Sequence, residues 1–182
     1  FKTQFINRCA DLLNTDFASE RVTDIIETMA SVIRPEMPNH LTRWSWSSLL
    51  KRNHGSPFDE EDSPLNIDQW EKHIEDLKTY ALQRPNQLRE DLLEHFELKN
   101  GTFEIIATVE PPGTGIIKIN SITHQSLPTD RAVYFKGIPV NIEAVPHNGH
   151  QFRTWANQQS TSSTFTIDNN TANQIQLHAI FD

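Results

Sequence analysis

The hydrophobic residues of this chain change their period once, between Leu98 and Thr102, and that single change fixes the fold class. Before it, apolar side chains recur every three or four residues, as one face of a helix requires; after it, they alternate, as a strand with one buried face requires. The stretch Asn66 to Leu98, "NIDQWEKHIEDLKTYALQRPNQLREDLLEHFEL", leads up to the switch. Asn66 is a good helix N-cap and Gln69 follows three residues later, as in a capping box. Trp70, Ile74, Leu77 and Ala81 then recur at helical spacing. Pro85 lacks an amide proton and its ring meets the preceding turn, so Arg84-Pro85 reads as a corner where one helix stops and another starts. Leu88, Leu92, Leu93 and Phe96 mark the second stripe, and Asn100-Gly101 supplies the backbone freedom that ends it.

Upstream, Phe1, Phe5, Cys9, Leu12 and Leu13 form a first helical stripe, closed by Asn14, Thr15 and Asp16. Val22, Ile25, Ile26, Met29 and Ile33 form a second, opened near Ser19 and closed at Arg34-Pro35. The two are expected to pack as a hairpin. Met37, Leu41 and Trp44 read as a shorter third helix, with Trp46 just beyond. The following twenty residues contain Gly, two Pro and the acidic run Asp59-Glu60-Glu61-Asp62, which reads as a long exposed loop.

Downstream, strands are expected at about 103–109, 115–120, 132–135, 139–145, 151–155, 163–167 and 174–181. Turn signals separate them at Pro111-Pro112-Gly113, Pro128-Thr129-Asp130, Asn148-Gly149 and Asp168-Asn169-Asn170. Short strands with regular punctuation and no helix describe an antiparallel β-sandwich or barrel. The fold class is therefore α+β with two segregated domains, helical over 1–98 and all-β over 99–182.

With 36% hydrophobic residues, including 10 Phe and 4 Trp, the chain can build real cores. It has no apolar run long enough to span a membrane, and no stretch of it reads as a signal peptide. Beginning at Phe1 with a helix that starts almost at once, it reads as a piece of a longer protein. The formal charge of −8 sits mostly in the first half: residues 1–98 carry 11 Lys and Arg against 18 Asp and Glu, and residues 99–182 carry 5 against 6. Nucleic-acid binding needs a basic face to neutralise phosphates, and neither half offers one. A single cysteine, Cys9, excludes an internal disulfide and sits on an apolar helix face as a small hydrophobe.

No set of residues assembles a catalytic, cofactor or metal site. Gly113-Thr114-Gly115 is the nearest approach to a phosphate-cradling loop, but no helix and no Lys-Ser/Thr follow it, so it reads as a tight turn. The run 59–62 lacks the alternating ligands and central Gly of a Ca²⁺ loop and reads as a solvated loop. His147 and His150 flank Asn148-Gly149 with no third ligand nearby and read as a polar hairpin end. His40, His73 and His95 read as surface or interface residues. Cys9 has no neighbour that would lower its pKa, and no Ser occupies a nucleophile elbow. Trp44 and Trp46 read as core aromatics.

The helical pieces "FKTQFINRCADLLNTDF", "RPEMPNHLTRWSW" and "WEKHIEDLKTYALQRPNQLREDLLEHFEL" together resemble the C-terminal part of the bacterial spore-coat H-like (CotH) kinase family, atypical secreted kinases distantly related to protein-kinase folds. In that family the ATP and metal ligands lie upstream of these helices. The resemblance thus implies ATP and a divalent metal for a parent protein, which would be an atypical protein kinase, and carries no catalytic residue onto this chain. It implies a helical wall that supports an upstream kinase-like lobe.

The segment "YFKGIPVNIEAVPHNGHQFRTW" is similar to the bacterial B-repeat modules that follow enzymes and adhesins on cell surfaces, through Tyr134, Gly137, Val140, Ile142, Ala144, Pro146, Gly149, Phe152 and Trp155. The two resemblances together imply a non-catalytic piece of a secreted or surface bacterial protein. An alternative reading is an extracellular binding or adhesion module whose partner is a glycan or a surface protein, suggested by the polar loops between the strands.

Overall fold

The computed structural model describes residues 1–43, 66–157 and 161–182. Their order is helical to residue 95 and strand-rich after it: α1 (Lys2–Asn14), α2 (Ser19–Ile33), a 3₁₀ turn (Arg34–Glu36), α3 (described over 37–43), α4 (Ile67–His95), then β1 (Thr102–Glu110), β2 (Gly115–Ile119), β3 (Ile122–Thr123), a 3₁₀ turn (His124–Ser126), β4 (Arg131–Phe135), β5 (Val140–Pro146), β6 (Phe152–Trp155), β7 (Thr164–Ile167) and β8 (Gln174–Phe181). The α+β class with segregated regions is what the structure has. Each expected strand is present, and β3 with its 3₁₀ turn is an addition too short to show a period. Trp44, Trp46, the acidic run 59–62 and the loop read around them lie outside the described residues. Among the described residues, no helix is long and apolar enough to cross a membrane.

One helix replaces the expected corner at Arg84-Pro85. α4 runs unbroken for 29 residues with Pro85 inside it. A proline in a helix interior costs about 3 kcal/mol through the missing hydrogen bond and ring clash. The apolar stripe shows why the helix continues: Ala81, Pro85, Leu88 and Leu92 stay in phase, and Ala81, Pro85 and Leu92 are all buried. Asn66 does cap the N-terminus, its Oδ1 accepting the Gln69 amide at 2.9 Å. The C-terminus closes earlier than Asn100-Gly101. Glu97 adopts φ +55, and the amides of Leu98 and Glu97 reach back to the carbonyls of Leu93 and Glu94. That is a Schellman ending in which Glu97 holds the place glycine usually takes.

By packing, the described residues form two compact units, 1–21 with 85–182, and 22–84. The change of hydrophobic period at 98 and the grouping by packing thus fall at different places along the chain.

In the first unit, β4-β1-β8-β6 form one four-stranded sheet and β3-β2-β5-β7 the other. All pairs are antiparallel except β1 with β8, which run parallel from Glu104 opposite Gln174 to Glu110 opposite Ile180. The wholly antiparallel expectation fails at this pair because no hairpin joins the first and last strands, so no tight turn dictates their relative direction. Phe103, Ile105 and Ala107 of β1, Ile117 and Ile119 of β2, Val140, Ile142 and Ala144 of β5, and Leu177, Ala179 and Phe181 of β8 share one buried core. At Gly115 the two sheets approach so closely that an added Cβ would lie 2.5 Å from the Phe181 ring. Ile6, Ala10 and Leu13 of α1, together with Leu92 of α4, belong to this same core.

The second unit combines a small apolar interior with a network of charges at its surface. Trp70, Ala30 and Ala81 are buried. The Arg34 guanidinium lies 5.7 Å from the Trp70 ring centroid and pairs with Glu71 at 2.7 Å and Glu27 at 2.8 Å. Lys78 adds a second cation to Glu27 at 2.7 Å. These hydrogen bonds, Arg34 first and Lys78 second, bring the Glu27 carboxyl down to about 2.

Two outcomes follow from this architecture. Glu97→Gly should raise stability by about 1 kcal/mol in urea unfolding, since only glycine adopts the left-handed region without penalty. The Glu27 carboxyl carbon, followed by NMR, should titrate near 2 and not near 4.5. Because the folded value is depressed, the stability it contributes is present above pH 4.5 and fades as pH falls toward 2.

Candidate functional site

A charged residue of α1 is buried away from the apolar stripe of Ile6, Ala10 and Leu13. Asp11 is 1% exposed, and its carboxylate accepts three hydrogen bonds. Tyr134 on β4 donates its hydroxyl to Oδ1 at 2.7 Å. Ser121, in the β2–β3 turn, donates its amide at 3.0 Å and its hydroxyl to Oδ2. One carboxylate therefore joins α1 to both sheets. Burial, followed by the Asp11 charge, pushes the Tyr134 phenol well above its ordinary value.

One turn further on, Asn14 meets the outer edge of β4 as another strand would. Its side-chain oxygen accepts the Val133 amide at 2.9 Å, and its side-chain nitrogen donates to the Val133 carbonyl at 3.0 Å. The same Asn14 oxygen accepts from Arg89 of α4 at 3.2 Å, and the Leu13 carbonyl accepts from that guanidinium at 3.3 Å. Arg89 Nε is buried without a partner, and burial lowers the guanidinium pKa.

Beside Arg89 lies an open cleft of about 700 Å³ between the end of α4 and the outer face of the first sheet. α4 contributes Asn86, Glu90 and Leu93, and β1 contributes Thr102 and Glu104. Val133, Asn173 and Gln174 complete the lining. Glu104 accepts from Arg131 at 3.4 Å and from Gln174 at 3.2 Å, both through Oε2. Asn173 Oδ1 accepts from Lys136 at 2.7 Å. The lining of the cleft thus mixes charged and amide side chains with the apolar Leu93 and Val133.

The residues weighed from sequence fall elsewhere. Gly113 turns the chain at φ +86, Thr114 bonds back to the Pro111 carbonyl, and Gly115 opens β2, so this segment is a turn. His147 and His150 bracket a tight turn in which the His150 amide reaches the His147 carbonyl. Their rings are occupied separately, His147 Nδ1 with the Gly113 carbonyl at 2.8 Å and His150 Nδ1 with the Asp182 carbonyl at 2.7 Å. Cys9 is half-buried against the core, and burial raises its thiol pKa. His95 lies edge-on to Phe96, His73 is half-buried on α4, and His40 is exposed. Among the described residues, no three His, Cys, Asp or Glu side chains gather in a way that could hold a metal ion.

Asp11, Asn14, Arg89 and Tyr134 went unselected in the sequence. Asp11 carried no signal, since it lies about 100° or more round α1 from Ile6, Ala10 and Leu13 and so out of phase with the apolar stripe. Arg89 and Asn14 carried none, because they meet each other and the backbone of Leu13 and Val133 across long stretches of the chain.

Residues 1–88, just under half of the chain, match the family model described as CotH kinase protein. That match agrees with the resemblance read in the helical region and ends before the strands begin. No curated protein and no solved structure matches the chain.

Removing one partner of the Asp11 cluster leaves buried groups unpaired. Asp11→Ala should cost about 3 kcal/mol of unfolding free energy, and Tyr134→Phe about 2 kcal/mol. Because the folded Tyr134 pKa is raised, its contribution is complete below about pH 10 and is lost as pH rises beyond that. Alkaline unfolding followed by circular dichroism should therefore be shallower in Tyr134→Phe; an unchanged slope would refute the assignment.

Proposed function

We propose that this chain is a non-catalytic part of a secreted or surface bacterial CotH-type protein. Its helices give structural support to an upstream kinase-like lobe, and its sheets form an accessory module of B-repeat kind. The observation that carries the reading is the apolar surface left open on the helical unit matched by the CotH family. On α2, Ile25, Met29 and Val32 follow one another at helical spacing, with Met29 67% and Val32 73% exposed. On α4, Leu77 and Tyr80 are three apart, and Tyr80 is 59% exposed. Single exposed apolar residues are ordinary, but rows of them on helix faces belong to interfaces. A lobe carrying the nucleotide and metal ligands is the occupant that the family match favours.

On this reading the nucleotide chemistry lies outside the chain. Calorimetry with Mg²⁺-ATP should give no heat of binding, and a micromolar dissociation constant would overturn it. Met29→Glu combined with Val32→Glu should leave the unfolding free energy of this chain within about 0.5 kcal/mol, as exposed substitutions do. The same pair should destabilise a longer chain that includes the upstream lobe. Equal stability of the two longer chains would sink the docking role.

A second reading, an extracellular binding module for a glycan or a partner protein, draws its support from the cleft beside Arg89. It is compatible with the first, because cleft and open helix faces are different surfaces.

A further inference from the structure

We propose that His124 is a pH-sensitive strap: as a neutral ring it fastens the crossover between the two sheets to β2, and on protonation in mildly acidic solution it lets that crossover open. β3 pairs with β2 over only two residues, Lys118 opposite Thr123 and Ile119 opposite Ile122. The next rung would set the Ile117 amide against the backbone of residue 124. There the chain instead turns away, into the 3₁₀ turn His124–Ser126 and on to β4 in the other sheet. The imidazole supplies the missing acceptor: Ile117 donates its amide to His124 Nδ1 at 3.1 Å, and the ring is half-buried. The link lies between two apolar anchors of the same crossover, Ile122 and Leu127, both in the core.

An imidazole nitrogen accepts a hydrogen bond only while it carries no proton. This bond therefore specifies the tautomer protonated at Nε2, and it fails when Nδ1 gains a proton that faces the amide proton directly. The Ile117 amide is then left unpaired, the costly outcome for a buried donor. Burial holds the ring below its ordinary value of 6.5. Because the folded value is depressed, the stability the strap contributes is present above about pH 6.5 and fades as pH falls below it. Charged groups on the surrounding elements are engaged elsewhere: Lys118 of β2 with Glu143 of β5, Arg8 and Asp11 of α1 with Ser121 in the β2–β3 turn, and Arg131 of β4 with Glu104 and Asp130. β3 and its 3₁₀ turn carry His124 as their one titratable side chain.

An NMR pH titration of the isotope-labelled full chain tests this. The His124 ring nitrogens should show the Nε2-protonated tautomer at neutral pH and titrate below 6.5, with the Ile117 amide shift moving at the same midpoint. Hydrogen-exchange protection at Ile117, corrected for the intrinsic rate, should fall about fivefold between about pH 7.5 and about pH 5.5. Residues 122–127 should follow, while Ile105 and Leu177 of the first sheet keep their protection. His124→Asn, whose amide oxygen accepts at every pH, should keep the rung and abolish the dependence. A ring that titrates while the Ile117 amide stays still would overturn the strap. An acid loss that persists in His124→Asn, or that extends evenly through both sheets, would do the same. Should the variant not fold, the titration of the unaltered chain decides alone.

Discussion

The first compact unit is organised around a buried carboxylate. A helix and two sheets can pack by apolar contact in many nearly equivalent ways, because dispersion and water exclusion have little directionality. The Asp11 carboxylate removes that freedom. Its hydrogen bonds to Tyr134 and Ser121 are satisfied in one placement of α1, and any slip leaves a charge buried without partners, at a cost of several kcal/mol. The apolar residues Ile6, Ala10 and Leu13 supply the drive to bury the helix, and Asp11 decides where it goes. Asn14 and Arg89 carry that registration outward, to the edge of β4 and to the end of α4.

This arrangement sets the strands in a different relation to the helices than the change of hydrophobic period suggests. The CotH match covers residues 1–88 and so includes all of α1. Yet α1 belongs by packing with β1 to β8. A helix that family likeness groups with its neighbours along the chain is thus a structural member of the β unit. The helical unit from 22 to 84 has a different character, with a modest interior around Trp70 and a surface network in which Glu27 receives two cations.

What the sequence revealed followed from local physics. Strand existence was legible because Val140, Ile142 and Ala144 alternate with polar residues, and all three prove buried. The turn at His147 to His150 was legible because Gly149 must take a positive φ, and it does. The helix N-terminus at Asn66 was equally plain. Pro85 misled because its local penalty is real, while the compensation comes from a stripe that remains in phase through it. The parallel pairing of β1 with β8 and the docking of α1 could not be read at all. Both are settled by contacts between segments far apart in sequence, where periodicity is silent. The cleft was hidden for the same reason, since its walls come from α4, β1, β4 and the start of β8.

A β-sheet does not by itself know where to stop. Each outer strand offers the same ladder of donors and acceptors that recruited its inner neighbour, so the number of strands is a matter of supply. On β4 the supply ends in an asparagine. The Asn14 amide presents one donor and one acceptor to Val133, imitating one rung of a neighbouring strand and then offering nothing further to pair with. Growth at that edge is terminated by a side chain from within the same molecule. On that side the four-stranded sheet is a finite object, its edge occupied at Val133 before any encounter with a second copy takes place.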